Sequence, residues 1–155
     1  MNIFILDNDM TKNASYHTDR HVVKMILEQT QILSACHHIH NSPIKDKIYR
    51  LTHANHPCVK WACASSSNYE WLYKMTLALG VEYTHRYGKV HKSIREYKEL
   101  LKYNPCPNGV MTPFAQAMPD VVKNSNSVTA YRNYYKQFKT HLFSWKHRNV
   151  PEWVI

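Results

Sequence analysis

The chain has 155 residues, with 20 Lys and Arg against 11 Asp and Glu, a formal net charge of +9, and 11 His. That length supports one domain with a real core, and no stretch approaches the roughly 20 apolar residues of a membrane span. Three Gly in all argue against a phosphate-cradling Gly loop, and so basic a chain with eleven Tyr and four Trp points to a polyanionic partner, most often nucleic acid.

Clear period-two runs are nearly absent and Pro sits at turns, so the domain reads as mainly helical. Asn2 to Leu6 is short, apolar and β-branched: either a lone extended arm packed on helices or a small strand. Asp7 or Asp9 can cap a short helix through about Tyr16. Thr18 to Cys36 has no Gly or Pro and is apolar on most faces, which predicts a long, largely buried helix. His37 to Lys47 is a loop broken by Pro43. In ANHPCVKW, Asn55 or His56 can be an N-cap with Pro57 at the first helical position. A long helix follows from Asn68 to Tyr87, stopped by Gly88, and a charged one from Ser93 to Tyr103. Asn104 to Thr112 is a loop. TPFAQAMPD, Thr112 to Asp120, reads as one or two helical turns pinned between Pro113 and Pro119. Ser125 to Ser127 cap a last helix from Val128 to about His147, and the tail with Pro151 and Trp153 docks back on the body.

One stripe of the central helix is polar. His17, His21, Lys24, Glu28 and Gln31 recur at steps of four and three, on one face, with Arg20 at the edge. A buried helix with one charged stripe suits the floor of a cleft; the plainer alternative is a solvated face with a weak Lys24–Glu28 pair. As chemistry, Glu28 is a carboxylate, Lys24 an amine able to form a Schiff base if desolvated, and His21 a proton shuttle near neutral pH. On the last helix, aromatic residues alternate with cations, which suits phosphates and exposed bases or equally an ordinary core face backed by a solvated one. His53, His56, Cys58 and Cys63 match no familiar zinc spacing, nor do His17 and His21, and no metal is assigned. The four Cys lack CxxC spacing and no secretory h-region precedes them. The expectation is a cytoplasmic protein with reduced thiols, in the host cytoplasm if phage-encoded.

NIFILDND, DRHVVKMILEQTQIL and ANHPCVKW, with TPFAQAMPD and AYRNYYKQF later, resemble the pyrimidine-dimer DNA glycosylases of the endonuclease V type, nearest their phage branch. The resemblance implies an all-α, compact single-domain helical bundle over residues 1–155, with a short extended N-terminal arm. It implies a DNA base-excision enzyme acting on damaged or modified pyrimidines such as UV dimers, which flips a base and in some members cuts the abasic site through a Schiff base. It implies double-stranded DNA as partner, no cofactor, no membrane and a monomer. The family uses an N-terminal amine and a Glu between two basic residues of its central helix. Here Arg20 and Lys24 match the basic pair, His21 stands between them, and Glu28 is the nearest carboxylate on that face. The candidate catalytic set is therefore Arg20, His21, Lys24 and Glu28, with Met1 or Lys24 as the amine. Asn55, His56, Gln116 and Asp120 are candidates for the base or its sugar, and Tyr131, Arg132, Tyr135, Lys136 and Lys139 for gripping DNA. The alternatives are an enzyme that alters a hypermodified pyrimidine without breaking its glycosidic bond, and a non-catalytic DNA-binding protein.

Overall fold

A computed structural model describes all 155 residues. It is all-helical: α1 (Met10–Tyr16), α2 (Asp19–Ile39), α3 (Pro57–Ala64), α4 (Ser66–Tyr87), α5 (Lys92–Leu101) and α6 (Ser127–Phe138), with short 3-10 turns between and after them and no strand. No helix is long and apolar enough to cross a membrane.

Local chemistry sets most boundaries. Asp9 accepts a hydrogen bond from Lys12 N and starts α1; Thr18 accepts from His21 N and starts α2. His56 accepts from Cys58 N through Nδ1, with Pro57 behind it, and His91 opens α5 in the same way. Gly88 stops α4 in the left-handed conformation, at φ 69°. Gly80 lets α5 approach α4, since a Cβ there would sit 2.9 Å from the Ile94 side chain.

The central helix α2 packs against α3, α4 and α5. The N-terminal arm is extended and threads into the core, where Ile3, Phe4, Ile5 and Leu6 are all at most 3 % exposed. Burying each such side chain stabilises the fold by about 1.5–3 kcal/mol. Its backbone has no sheet partner, so side chains supply the hydrogen bonds: Asn13 Oδ1 accepts from Leu6 N, and Arg132 Nε donates to Leu6 O. Asn2 is a second anchor, donating to Ala117 O and accepting from Ile3 N and from the Tyr131 hydroxyl.

The N-terminus of α2 is held from below by a buried charge cluster. Arg86, fully buried, pairs with Glu82 at 2.8 Å and Asp19 at 3.0 Å, and Arg148 donates twice to Glu82. Burial pushes the Asp19 and Glu82 carboxyls up, but the hydrogen bonds and cations around them outweigh it and leave both lowered.

Three expectations need correction. TPFAQAMPD has no helix up to a 3-10 turn at Asp120–Val122. The residues before Pro113 and Pro119 disfavour the helical region, and the run's backbone is taken by distant partners: Asn68 and Trp61 bond Thr112, Tyr131 bonds Ala115 O, and Asn2 bonds Ala117 O. The last helix ends at Phe138 rather than near His147. Beyond it the chain turns so that Ser144 O accepts from Asp19 N and Trp145 Nε1 donates to Tyr16 O. The third concerns the thiols. Cys36 of α2 and Cys63 of α3 form a disulfide, which leaves Cys58 and Cys106 as the free cysteines.

Candidate active site

Four of the sequence runs singled out above meet α2 at one small cleft. Met1, Asn2 and Phe4 come from the arm, His21, Lys24, Met25 and Glu28 from α2, and His56 from the start of α3; Ala117, Tyr134 and Lys139 close the far side. Its volume is about 180 Å³. Pockets that swallow a small molecule usually exceed about 300 Å³; this one suits a reactive portion of a larger substrate held mostly outside. Four larger hollows lie elsewhere: one beside Trp71 at the start of α4, one along the α4–α5 groove, and two around Arg148 and Asn149. None of them joins a buried amine, a buried carboxylate and a histidine, so chemistry rather than size marks the site.

The backbone nitrogen of Met1 lies 3.7 Å from Glu28 Oε2, with both side chains largely out of solvent. Glu28 Oε1 lies 3.6 Å from Lys24 Nζ, but the Lys24 side chain is 66 % exposed. Glu28 Oε2 is buried and has no hydrogen-bond partner. A buried carboxylate oxygen without a partner is costly; here it faces a nitrogen just beyond bonding distance and is free to stabilise a charge that forms beside it. His56 sits next to the same nitrogen. Burial lowers its pKa, the positive N-terminus and His53 lower it further, and Glu28 and a hydrogen bond with the Met1 backbone oppose this. Its Nδ1 is occupied in capping α3.

His21 is 5 % exposed and stacks on Phe4, with ring centroids 4.4 Å apart. Its Nδ1 lies 2.6 Å from the Tyr135 hydroxyl. Burial pushes its pKa down to about 3, aided by His17, Lys139, Lys24 and His141. A ring held this low is neutral near pH 7, which speaks against the proton-shuttle expectation. His17 of the same stripe is fully buried, hydrogen-bonded to Asn13 O at 2.7 Å, and lies outside the cleft.

The remaining candidates separate. Arg20 is exposed and does not line the cleft. Asn55 is exposed and outside it as well. Gln116 clamps its own loop, donating to Asn124 O and accepting from Asn124 N, and Asp120 pairs with Lys123 in solvent. Tyr131 and Tyr135 are fully buried with their hydroxyls engaged, so they cannot stack on bases; they are the core face of α6. Arg132 is bonded to Asp7 and Leu6 O and lies over the Tyr16 and Trp153 rings, where it holds the arm instead of a phosphate. Lys136 is exposed, and Lys139 sits on the cleft rim with Nζ 5.0 Å from the Tyr134 ring. No three His, Cys, Asp or Glu side chains converge as a metal site would require, and Cys63 is taken by the disulfide.

Sequence reasoning missed Asn2 and Phe4 as parts of the site. The one available signal was a polar Asn heading an otherwise apolar arm.

The family profile described as pyrimidine dimer DNA glycosylase matches residues 1–96. The chain belongs to this family. No curated protein matches the chain, and no solved structure matches it. The matched region carries the arm, α2 and the His56 cap, so the amine–carboxylate pair lies within the glycosylase-family part; Ala117, Tyr134 and Lys139 lie beyond it. The family gives the chain a DNA-glycosylase type of function with DNA as its substrate.

Proposed function

We propose that the protein is a DNA glycosylase with an abasic-site lyase step, acting on pyrimidine dimers in duplex DNA, and that Met1 supplies the amine while Glu28 stabilises the positive charge. The observation that carries this is the nitrogen of Met1 held 3.7 Å from a buried carboxylate oxygen that has no other partner. The unprotonated amine attacks C1′ of the damaged nucleotide. The C1′–N1 bond breaks and its electron pair leaves with the pyrimidine, which takes up a proton; the attacking nitrogen gives up a proton. Opening of the sugar then breaks the C1′–O4′ bond, O4′ keeping the electron pair and taking up a proton, and gives an iminium at C1′ whose charge faces Glu28. Loss of a C2′ proton expels the 3′ phosphate as the strand breaks, and water frees the amine. Lys24 is the weaker candidate for the amine. A Schiff-base lysine is favoured by desolvation, and Lys24 is 66 % exposed. Lys24 and Lys139 line the cleft, where they suit phosphate contacts.

The test is incubation with duplex DNA carrying one thymine dimer, read with and without alkali and with borohydride. Strand cleavage and a trapped covalent adduct support the proposal. Cleavage only after alkali removes the lyase step. Absence of cleavage in every lane removes the dimer as substrate, and would favour an enzyme that alters a pyrimidine without excising it or a protein that only binds DNA.

A further inference from the structure

The cleft contains a polar group that the chemistry above does not use. His21 Nδ1 is 2.6 Å from the Tyr135 hydroxyl, which is sealed from solvent. The hydroxyl's other partners are the backbone N–H of Thr18 at 3.4 Å, which can only donate, and the Thr18 hydroxyl, whose bond lowers the pKa of the phenol as a donor's does. The nearest acceptor for the phenol proton is His21 Nδ1 at 2.6 Å. In a neutral imidazole an acceptor Nδ1 means that Nε2 carries the hydrogen. Nε2 bonds to no protein group and is not among the buried orphaned atoms, while the ring lines the cleft. Burial keeps the ring uncharged. Phe4 stacks on one face, and Tyr134 stacks on Phe4 with ring planes 19° apart.

We propose that His21, fixed by Tyr135 as the Nε2–H tautomer, donates a hydrogen bond to an exocyclic carbonyl oxygen of the pyrimidine in the cleft and so selects the base to be removed. The assignment rests on the glycosylase reading. A neutral donor among aromatic rings matches a neutral carbonyl on a pyrimidine; a phosphate would find Lys24 and Lys139 at the rim instead. A charged group in this position would add a cation beside the Met1 nitrogen, and the site avoids that. Tyr135 touches no substrate and is a positioning residue: it sets which ring nitrogen bears the proton. The carbonyl is present while the base is attached and absent from an abasic site, so His21 should matter for excision far more than for the later lyase step.

The experiment compares two rates for each protein: excision from a thymine-dimer duplex and borohydride trapping on a duplex with a ready-made abasic site. In His21→Phe, which keeps the stack on Phe4, the ratio of excision to trapping should fall by about 10- to 100-fold, the effect of leaving a desolvated carbonyl without its donor. His21→Gln, with an amide N–H, should recover part of it. Tyr135→Phe should lower the ratio by about threefold or more. Nitrogen-15 spectra of the wild-type His21 ring should show Nε2–H, and those of Tyr135→Phe a mixture of tautomers. An unchanged ratio in folded His21→Phe, or an Nδ1–H ring in the wild type, overturns the proposal. If His21→Phe does not fold, Tyr135→Phe and the wild-type tautomer decide it. A wild-type protein inactive on both duplexes overturns the glycosylase reading and this assignment with it, an outcome distinct from an active enzyme whose ratio does not move.

Discussion

Replacing Glu28 by Gln tests the electrostatics of the cleft at nearly constant shape. The two unlike charges lie 3.7 Å apart. At an effective dielectric near 20 that separation is worth about 4.5 kcal/mol, and a positive charge forming on the Met1 nitrogen or on C1′ would feel a similar field. The Gln amide keeps a dipole and recovers part of it. The loss should be about 2–3 kcal/mol of transition-state stabilisation, or about 30- to 150-fold in the rate of the chemical step. Glu28→Gln also leaves the facing charge without its partner and should lower stability, so rates are compared at a temperature where both proteins are folded. The assay is single-turnover cleavage of a thymine-dimer duplex, with thermal unfolding as the control and duplex affinity measured separately. A Glu28→Gln protein that cleaves within threefold of wild type would refute the reasoning and remove Glu28 from the mechanism.

Acid should weaken the fold in a defined window. His17 is lowered to about 4, His21 to about 3 and His37 to about 4, in each case chiefly by burial. Between those values and the ordinary histidine pKa near 6.5 the unfolded chain binds more protons, so stability is full above about pH 6.5 and falls as pH drops toward 4, by up to about 1.4 kcal/mol per pH unit for each histidine. Urea midpoints at pH 7, 5.5 and 4.5 should decline in that order, and a flat series would contradict the buried-neutral assignment. Asn2→Ala removes three hydrogen bonds that seat the arm and should cost about 2–3 kcal/mol, read as a lower unfolding midpoint. Thiol titration of the denatured, unreduced protein should count two free cysteines, Cys58 and Cys106. Reduction should lower stability by about 3.5 kcal/mol for a closed loop of this size. Four free thiols before reduction would show the pair to be open.

Much of the fold was legible because its signals are local. Asp9, Thr18, His56 and Gly88 mark ends that one side chain or one φ angle decides. The polar stripe on the central helix was visible from its spacing, and Lys24 and Glu28 do face the cleft. The failures are tertiary. TPFAQAMPD has helical spacing of Phe114 and Met118, yet its carbonyls are claimed by Asn2 and Tyr131 from far along the chain. Tyr131 and Tyr135 stand four apart on one face, and that spacing serves a core as well as a DNA grip; only the buried arm beneath them shows which. Arg132 reads as a free cation until Asp7 and Leu6 O are seen beside it. The disulfide joins residues 27 apart on two helices, a distance at which spacing carries no information.

In the proposed reaction the nitrogen beside Glu28 is the nucleophile. The most direct measurement is peptide mass mapping of the borohydride-trapped adduct with dimer-containing DNA. The reduced deoxyribose fragment should lie on the α-nitrogen of Met1, with trapping retained in Lys24→Ala at weaker DNA affinity. An adduct on Lys24, or on any other lysine, would contradict it.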